Sequence, residues 1–138
     1  MYPPNKLSLT KYIPLSASLL TVLIGGLIFL GWAIDVQLLK SLLPGFATTK
    51  PLTAFAFVLC GFSLYLSVNL QHSVARFFGR FCAVTVVIIG TLTIYEYIFN
   101  QNWFDYLFFE SKVVAEGISY PGRPSPITAI SFLLVEVE

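Results

Sequence analysis

The chain has 138 residues, of which 57% are hydrophobic and 11% are charged, and its formal net charge is +1. Soluble domains are about one-quarter charged, so this composition is typical of a membrane protein, and the length is that of one domain. The near-neutral charge and the absence of a basic run give no indication of nucleic-acid binding.

Four apolar segments follow one another along the chain, and three of them are long enough to cross a bilayer. About 20 helical residues, rising about 1.5 Å each, cross a hydrocarbon core of about 30 Å. The predicted spans are residues 13–34, 52–70 and 82–99, and the third contains a single charge, Glu96. The fourth segment, residues 127–135, is too short to span as a helix. We therefore predict an all-α, polytopic membrane helical bundle with three full spans and a truncated fourth.

The loop charges favour one orientation of the bundle. Lys and Arg divide equally between the two sides, so their count does not decide the matter. However, the short loop at residues 71–81 carries Arg76 and Arg80 without an acid, whereas acids outnumber bases in the long third loop. Because cytoplasmic loops are enriched in Lys and Arg, we predict a cytoplasmic N-terminus.

Two connecting segments are predicted to lie at the membrane surface on the outer side. Residues 36–43 are short and amphipathic, and residues 103–109 are aromatic with one acid. Tyr and Trp rings suit the headgroup layer, so the pattern favours an aromatic belt, with a ligand-binding aromatic lip as the alternative. The aromatic residues expected near this boundary are Trp32, Tyr95, Tyr97, Trp103, Tyr106 and Tyr120.

A nine-residue motif occurs twice, at residues 51–59 and 126–134, with five identical positions. Its Pro suits the first turn of a helix, where no hydrogen bond of the backbone N–H is needed. Its small Ala allows a neighbouring helix to approach closely. We therefore predict one helical hairpin repeated twice in parallel. The motif residues are Pro51, Thr53 and Ala54 in the first copy, and Pro126, Thr128 and Ala129 in the second.

Small residues also recur along the first two predicted spans. Such stripes bring helices close together in lipid, either within a bundle or between two subunits. The predicted partners are therefore the lipid bilayer and a second copy of the chain or another membrane protein. The stripes are Ala17, Thr21 and Gly25 on the first span, and Ala56, Cys60, Ser63 and Ser67 on the second.

Glu96 is the residue most in need of explanation, because carboxylates within a span are costly and usually paired or functional. Arg123 lies in a Pro-Gly-Arg-Pro turn before the fourth segment, and its guanidinium can hold a carboxylate bidentately. We predict an outer-face polar cluster of Glu96, Asp105 and Arg123. The alternatives are that Glu96 reaches the interface unaided or transfers protons.

The sequence contains no recognisable catalytic constellation. His72 stands alone, and Cys60 and Cys82 lack the spacing of metal ligands. Phosphate-binding loops, nucleophile elbows and zinc-protease motifs are also missing from the sequence. We therefore expect neither a cofactor nor an enzymatic activity of this chain by itself.

The order of the motifs resembles the N-terminal membrane region of bacterial sensors, cyanobacterial ones among them. These are sensor histidine kinases and diguanylate cyclases that carry PAS domains after the membrane. The chain departs from that pattern at Pro124, where Met is usual, and at Leu52 and Ile127, where Asn is usual. The matching residues are Glu96, Asp105, Pro121, Gly122, Arg123, Ser125, Pro126, Thr128 and Ala129.

The resemblance implies a signal-input module in a bacterial inner membrane, with its cytoplasmic output domain after the fourth helix. On that interpretation the chain is a fragment or truncated product, since the acidic residues Glu136 and Glu138 replace the expected apolar continuation. The alternative is a small accessory membrane subunit or a transporter-associated protein. The resemblance does not indicate which signal is sensed.

Overall fold

The computed structural model describes residues 6–41, 48–69, 72–115 and 122–136, and these residues form helices and turns without a strand. Three of the helices are long and apolar enough to cross a membrane, which indicates a membrane protein: Tyr12–Ile34, Pro51–Asn69 and Ser73–Phe99. The helices are α1 (Lys6–Ile34), α2 (Gln37–Ser41), α3 (Pro51–Asn69), α4 (Ser73–Phe99), α5 (Glu110–Ala115) and α6 (Pro126–Glu136).

Helices α1 and α4 end in the same way. Asp35 and Asn100 follow them in the left-handed conformation, with φ of 61° and 51°. The next N–H group turns back onto the helix, from Val36 to the carbonyl of Gly31 at 3.0 Å and from Gln101 to that of Glu96 at 3.1 Å. These bonds satisfy carbonyls that the helix end leaves without partners.

Helices α3 and α6 both begin with Pro as their first residue. Pro fixes φ near its helical value and lacks only an N–H group that would have no helical partner there. Ser125 then caps α6, because its hydroxyl accepts the N–H of Thr128 at 3.2 Å. These helix starts face the ends of α1 and α4, and together they form what we call the loop end of the bundle.

Small residues allow the helices to touch through their backbones. A Cβ placed on Gly25 would lie 2.8 Å from the carbonyl oxygen of Ala54, and one on Gly61 would lie 2.8 Å from that of Ser18. Ala56 of α3 is buried against Val86 and Phe132, which joins α3 to α4 and α6. Because lipid provides no hydrophobic force between helices, close packing of this kind holds the bundle together.

Part of each stripe of small residues packs inside the bundle. Gly25, Ala56 and Ser63 are buried, whereas Ala17 and Ser67 are exposed. A Cβ built on Gly79 of α4 would lie 3.5 Å from the carbonyl oxygen of Ser63, so α3 and α4 also approach closely at this point. Of the two uses considered for the stripes, the structure shows internal packing.

Two of the helices extend beyond the predicted spans. The segment predicted as a loop at residues 71–81 is instead helical from Ser73 onward, so α4 has 27 residues. Helix α1 begins at Lys6 and contains Pro14, while its apolar part, Tyr12–Ile34, agrees with the predicted span at residues 13–34. Hydropathy marks where a helix leaves the hydrocarbon core, but the backbone hydrogen bonds of the helix continue into more polar sequence beyond that point.

The fourth apolar segment forms α6, whose 11 residues are apolar from Pro126 to Val135. At about 1.5 Å per residue this helix is about half as long as the hydrocarbon core is thick. Part of the segment predicted as amphipathic at residues 36–43 forms α2, and its last two residues lie outside the described residues.

We predict that Gly61→Ala lowers the free energy of unfolding by about 1–3 kcal/mol, because the added methyl group would overlap the backbone of α1. Gly26→Ala is the matched control, since a Cβ there meets nothing within 4 Å. It should leave stability unchanged or raise it by about 1 kcal/mol through helix propensity. Reversible unfolding in mixed micelles measures both, and equal effects would contradict the packing described for α1 and α3.

Candidate functional site

A tight backbone contact positions the candidate site at the loop end. Gly122 lies directly against the backbone of Asp105, and a Cβ on Gly122 would overlap that carbonyl group. Only glycine allows this approach. The contact brings the residues just before α6 onto the segment that follows α4, and so places Arg123 beside Asp105.

Arg123 makes the central contacts of the site. Its Nε donates to Oδ1 of Asp105 and its Nη2 to Oδ2, both at 2.8 Å. Nη2 also donates to the carbonyl of Gln101 at 2.7 Å. The paired geometry matches the planar fork of a guanidinium, which Lys cannot reproduce. One side chain therefore joins the start of α6 to the segment after α4.

Glu96 completes the cluster from the last turns of α4. Its Oε2 lies 3.9 Å from Nε of Arg123, within ion-pair distance, and makes no hydrogen bond among the described residues. Its Oε1 accepts the backbone N–H of Phe104 at 2.7 Å. Glu96 thus holds the loop that follows its own helix as well as balancing the guanidinium.

The three members of the cluster are removed from solvent. Arg123 is 1% exposed, and Glu96 and Asp105 are each 2% exposed. Removing one partner of a buried ion pair leaves an uncompensated charge and costs about 3–5 kcal/mol. The reading in which Glu96 reaches the interface unaided therefore does not describe its surroundings in this structure.

The surroundings of Arg123 favour its charged form. Burial by itself lowers the pKa of Arg123, but the hydrogen bond and charge of Asp105 and the charge of Glu96 outweigh it. The pKa of Arg123 is consequently raised above its usual value. The guanidinium stays charged at every pH that the protein tolerates, so it is a permanent cation at the loop end.

In the first hairpin, formed by α1 and α3, a related cluster surrounds Trp32, which is fully buried. Its indole Nε1 donates to the carbonyl of Thr49 at 2.8 Å. Nζ of Lys40 lies 4.3 Å from the centre of the Trp32 ring and 2.6 Å from Oδ1 of Asp35. A cation over an aromatic face is stabilised by the electrons of the ring, most strongly for Trp.

The second hairpin, formed by α4 and α6, contains a similar arrangement of different residues. The hydroxyl of Tyr97 donates to the carbonyl of Pro124 at 3.2 Å, and the guanidinium carbon of Arg123 lies 4.8 Å from the centre of the Tyr97 ring. In each hairpin, an aromatic side chain near the end of the first helix donates a hydrogen bond to a backbone carbonyl. That carbonyl belongs to the residue two positions before the Pro that begins the second helix. In each, a cation that pairs with an Asp covers the ring.

Lys112 connects the long third loop to the first hairpin, a contact that sequence reasoning missed. Its Nζ donates to the carbonyl oxygens of Trp32 at 2.9 Å and Ala33 at 2.6 Å. A cation at a helix C-terminus satisfies its last carbonyls and its negative dipole end. Eighty residues separate Lys112 from Trp32, and no local pattern signals the pairing.

The residues of the repeated motif lie where their helices meet. Ala54 and Ala129 are fully buried. The carbonyl oxygen of Ala54 would lie 2.8 Å from a Cβ built on Gly25, and that of Ala129 would lie 3.0 Å from a Cβ built on Gly90. The remaining motif residues are at the helix starts: Pro51 and Pro126 are the first residues of α3 and α6, and Thr53 and Thr128 line one cavity between them.

The aromatic segment at residues 103–109 packs partly onto the bundle. The ring centres of Phe108 and Phe109 lie 5.5 and 5.2 Å from that of Phe29 on α1. Trp103 is instead 76% exposed, and Tyr95 is 47% exposed. The segment therefore both covers the bundle and presents aromatic side chains outward, while Tyr120 lies outside the described residues.

In comparisons with known proteins, no family model, no curated protein and no solved structure matches the chain. The resemblance to membrane regions of bacterial sensors thus stays a prediction.

We predict that Arg123→Ala lowers the free energy of unfolding by about 3–5 kcal/mol, because Asp105 and Glu96 would remain buried without their cation. Reversible unfolding in mixed micelles measures the loss. Arg80→Ala is the matched control, since Arg80 is exposed at the opposite end of the bundle. It should change stability by no more than about 0.5 kcal/mol.

A double-mutant cycle separates the ion pair from other effects of losing Arg123. Arg123→Ala combined with Asp105→Asn should be less destabilising than the sum of the two single substitutions, with a coupling of about 0.5–3 kcal/mol. Additive losses would show that the bidentate contact between Arg123 and Asp105 does not contribute to stability as described.

The first hairpin offers a test by titration. The hydrogen bond and charge of Lys40, aided by the charge of Lys112, hold the pKa of Asp35 below its usual value of 3.8. The fold therefore favours the ionised carboxylate of Asp35. The stability that this carboxylate contributes is lost only as the pH falls below 3.8. We expect Lys40→Met to return the pKa toward that value, as measured by NMR of the carboxyl carbon. Lys50→Met should leave it unchanged.

Proposed function

We propose that this chain is the membrane-embedded signal-input module of a bacterial protein of the sensor histidine kinase or diguanylate cyclase type. The proposed output domain lies in the cytoplasm after α6, and the chain itself carries no catalysis. The motif order around Glu96, Asp105 and Arg123 supports the class. The observation that carries the proposal is the bidentate contact between Arg123 and Asp105 directly before α6.

That contact links the outer loop to the helix that would lead to the output. Arg123 stands three residues before Pro126, the first residue of α6. Asp105 belongs to the aromatic segment at residues 103–109. Its neighbour in that segment, Phe104, donates its backbone N–H to Oε1 of Glu96 at 2.7 Å. A displacement of the aromatic segment would therefore be passed through one rigid ion pair to the start of α6. A signal acts by favouring one of two positions of this helix.

We further propose that the module consists of two copies of one hairpin, in parallel. The contacts of the two hairpins recur at fixed offsets along the chain. Helix-end residues Gly25, Gly31, Trp32 and Asp35 correspond to Gly90, Glu96, Tyr97 and Asn100, 65 residues later, while Thr49, Pro51 and Ala54 correspond to Pro124, Pro126 and Ala129, 75 residues later.

The two copies differ where the polar cluster lies. Gly31 of the first copy corresponds to Glu96 of the second, and a Cβ on Gly31 would lie 2.6 Å from the Cβ of Leu39. Helix α2 thus fills the place that the Glu96 carboxylate occupies in the second hairpin. The second copy has a longer loop as well as the buried charges, so we assign signal transmission to it.

The proposed setting is a bacterial inner membrane with the N-terminus in the cytoplasm and the loop end outside. Arg76 and Arg80 are exposed at the opposite end of the bundle, where basic residues are expected on the cytoplasmic side. The proposed partners are the lipid bilayer and a second copy of the chain or another membrane protein.

The test is a chimera in which all 138 residues are joined to the output domain of a histidine kinase through an apolar helical extension of about ten residues, which completes the span that α6 begins. Autophosphorylation is measured in membrane vesicles at equal protein levels. We expect Arg123→Lys, which retains the charge but loses the paired geometry, to change the kinase rate several-fold. Arg80→Lys is the matched control and should leave it unchanged. An unaltered rate in the Arg123→Lys chimera contradicts the proposed transmission.

A further inference from the structure

An apolar cavity of about 170 Å³ lies where α3, α4 and the aromatic segment at residues 103–109 meet. Leu52 and Phe55 line it from α3, and Phe104 and Leu107 line it from the aromatic segment. Helix α4 forms the remaining wall with Ile and Leu side chains and two threonines. The cavity therefore lies beside the ionic cluster, on the side of α4 that faces α3.

The surface that this cavity presents is entirely apolar. Of the two threonines, Thr85 directs its hydroxyl to the carbonyl of Phe81 at 2.8 Å, and the hydroxyl oxygen of Thr93 is enclosed by protein and does not reach the cavity surface. The backbone N–H of Phe104 is bound by Glu96. Since a water molecule in a cavity needs about two to four polar partners, we expect this cavity to exclude water.

The cavity is closed toward the bundle and open toward the lipid. Leu52 on its inner side is buried, whereas Ile88 and Leu107 line it and are also exposed on the outer surface of the bundle. Ile88 belongs to Ser73–Phe99, a helix apolar enough to cross a membrane. A compound dissolved in the hydrocarbon core would thus reach the cavity without passing through water.

The size and lining of the cavity suit one rigid hydrocarbon ring. An apolar cavity of about 150 Å³ lined by Leu, Ile and Phe stays dry and binds benzene in another protein. Phe55 and Phe104 line the present cavity, and aromatic rings attract one another in edge-to-face or offset arrangements. A flexible lipid chain would lose more conformational freedom than a rigid ring on entering so short a space.

We propose that this cavity binds a small, wholly apolar molecule of about the size of benzene, taken up from the membrane. Phe104 and Leu107 belong to the segment that carries Asp105, whose partner Arg123 precedes α6. If the module transmits signals as proposed above, such a molecule is a signal that it receives, and this consequence rests on the proposed function. The binding site itself does not.

The experiment titrates fluorobenzene into the full chain in phosphatidylcholine nanodiscs and follows it by fluorine NMR. Empty nanodiscs measure how much of the probe dissolves in the lipid. We expect a saturable signal from a single site that empty nanodiscs do not show. At equal concentrations in the lipid, benzene should displace fluorobenzene about tenfold better than phenol does, because burying a hydroxyl without a partner is costly.

Substitutions locate the site. Leu92 lines the cavity, and Leu92→Phe should fill part of it and weaken fluorobenzene binding about tenfold or more. Leu23→Phe is the matched control, because Leu23 is exposed on α1, and it should leave binding unchanged. Leu107→Ala removes part of the wall at an exposed position, so it should weaken binding several-fold while the protein stays folded.

Three results would overturn the proposal. The first is the absence of a saturable signal beyond that of empty nanodiscs, which is the result expected if a lipid acyl chain fills the cavity. The second is binding that neither Leu92→Phe nor Leu107→Ala weakens, which would place the site elsewhere. The third is equal displacement by benzene and phenol. Circular dichroism of each variant shows whether the helices are retained.

The outcome is distinguishable from a failure of the proposed function. The titration uses the chain without an output domain, so the absence of fluorobenzene binding leaves the proposed signal transmission untouched. An unaltered kinase rate in the Arg123→Lys chimera likewise leaves the binding site intact.

Discussion

The guanidinium of Arg123 is the group on which the loop end depends. It binds Asp105 through two hydrogen bonds of 2.8 Å and the carbonyl of Gln101 through one of 2.7 Å, while Glu96 balances its charge from α4. Charges buried at this depth are costly unless groups of opposite charge pair with them. Together with the close backbone contact of Gly122 and Asp105, this side chain fixes the start of α6 on the segment that follows α4.

The two hairpins solve the same backbone problem with the same chemistry. A helix that begins with Pro is preceded by extended residues whose carbonyls have no helical partners. Trp32 donates to one such carbonyl at Thr49, and Tyr97 donates to the equivalent carbonyl at Pro124. A cation then covers each ring, and its charge is balanced by an Asp. In both hairpins these contacts lie directly before a helix that begins with Pro.

Polar chemistry in this protein is concentrated at one end of an apolar bundle. The ionic cluster, the Trp32 cluster and the cavity lined by Thr53 and Thr128 all lie at the loop end, while the helix surfaces beyond them are mostly exposed Leu, Ile, Val and Phe. The proposed signal transmission uses the rigidity of the ionic cluster.

The sequence by itself determined the three long apolar helices, the Pro starts of α3 and α6, and the candidates Glu96, Asp105 and Arg123, because hydropathy, proline geometry and intramembrane charge are local properties. Only the tertiary structure decided that Arg123 pairs bidentately with Asp105 and lies farther from Glu96, and that Lys112 caps α1 from 80 residues away. It also decided that α4 extends back to Ser73. The contacts of Arg123 and Lys112 depend on how the segments between helices pack against the helix ends, and no local pattern in the chain signals which residues meet there.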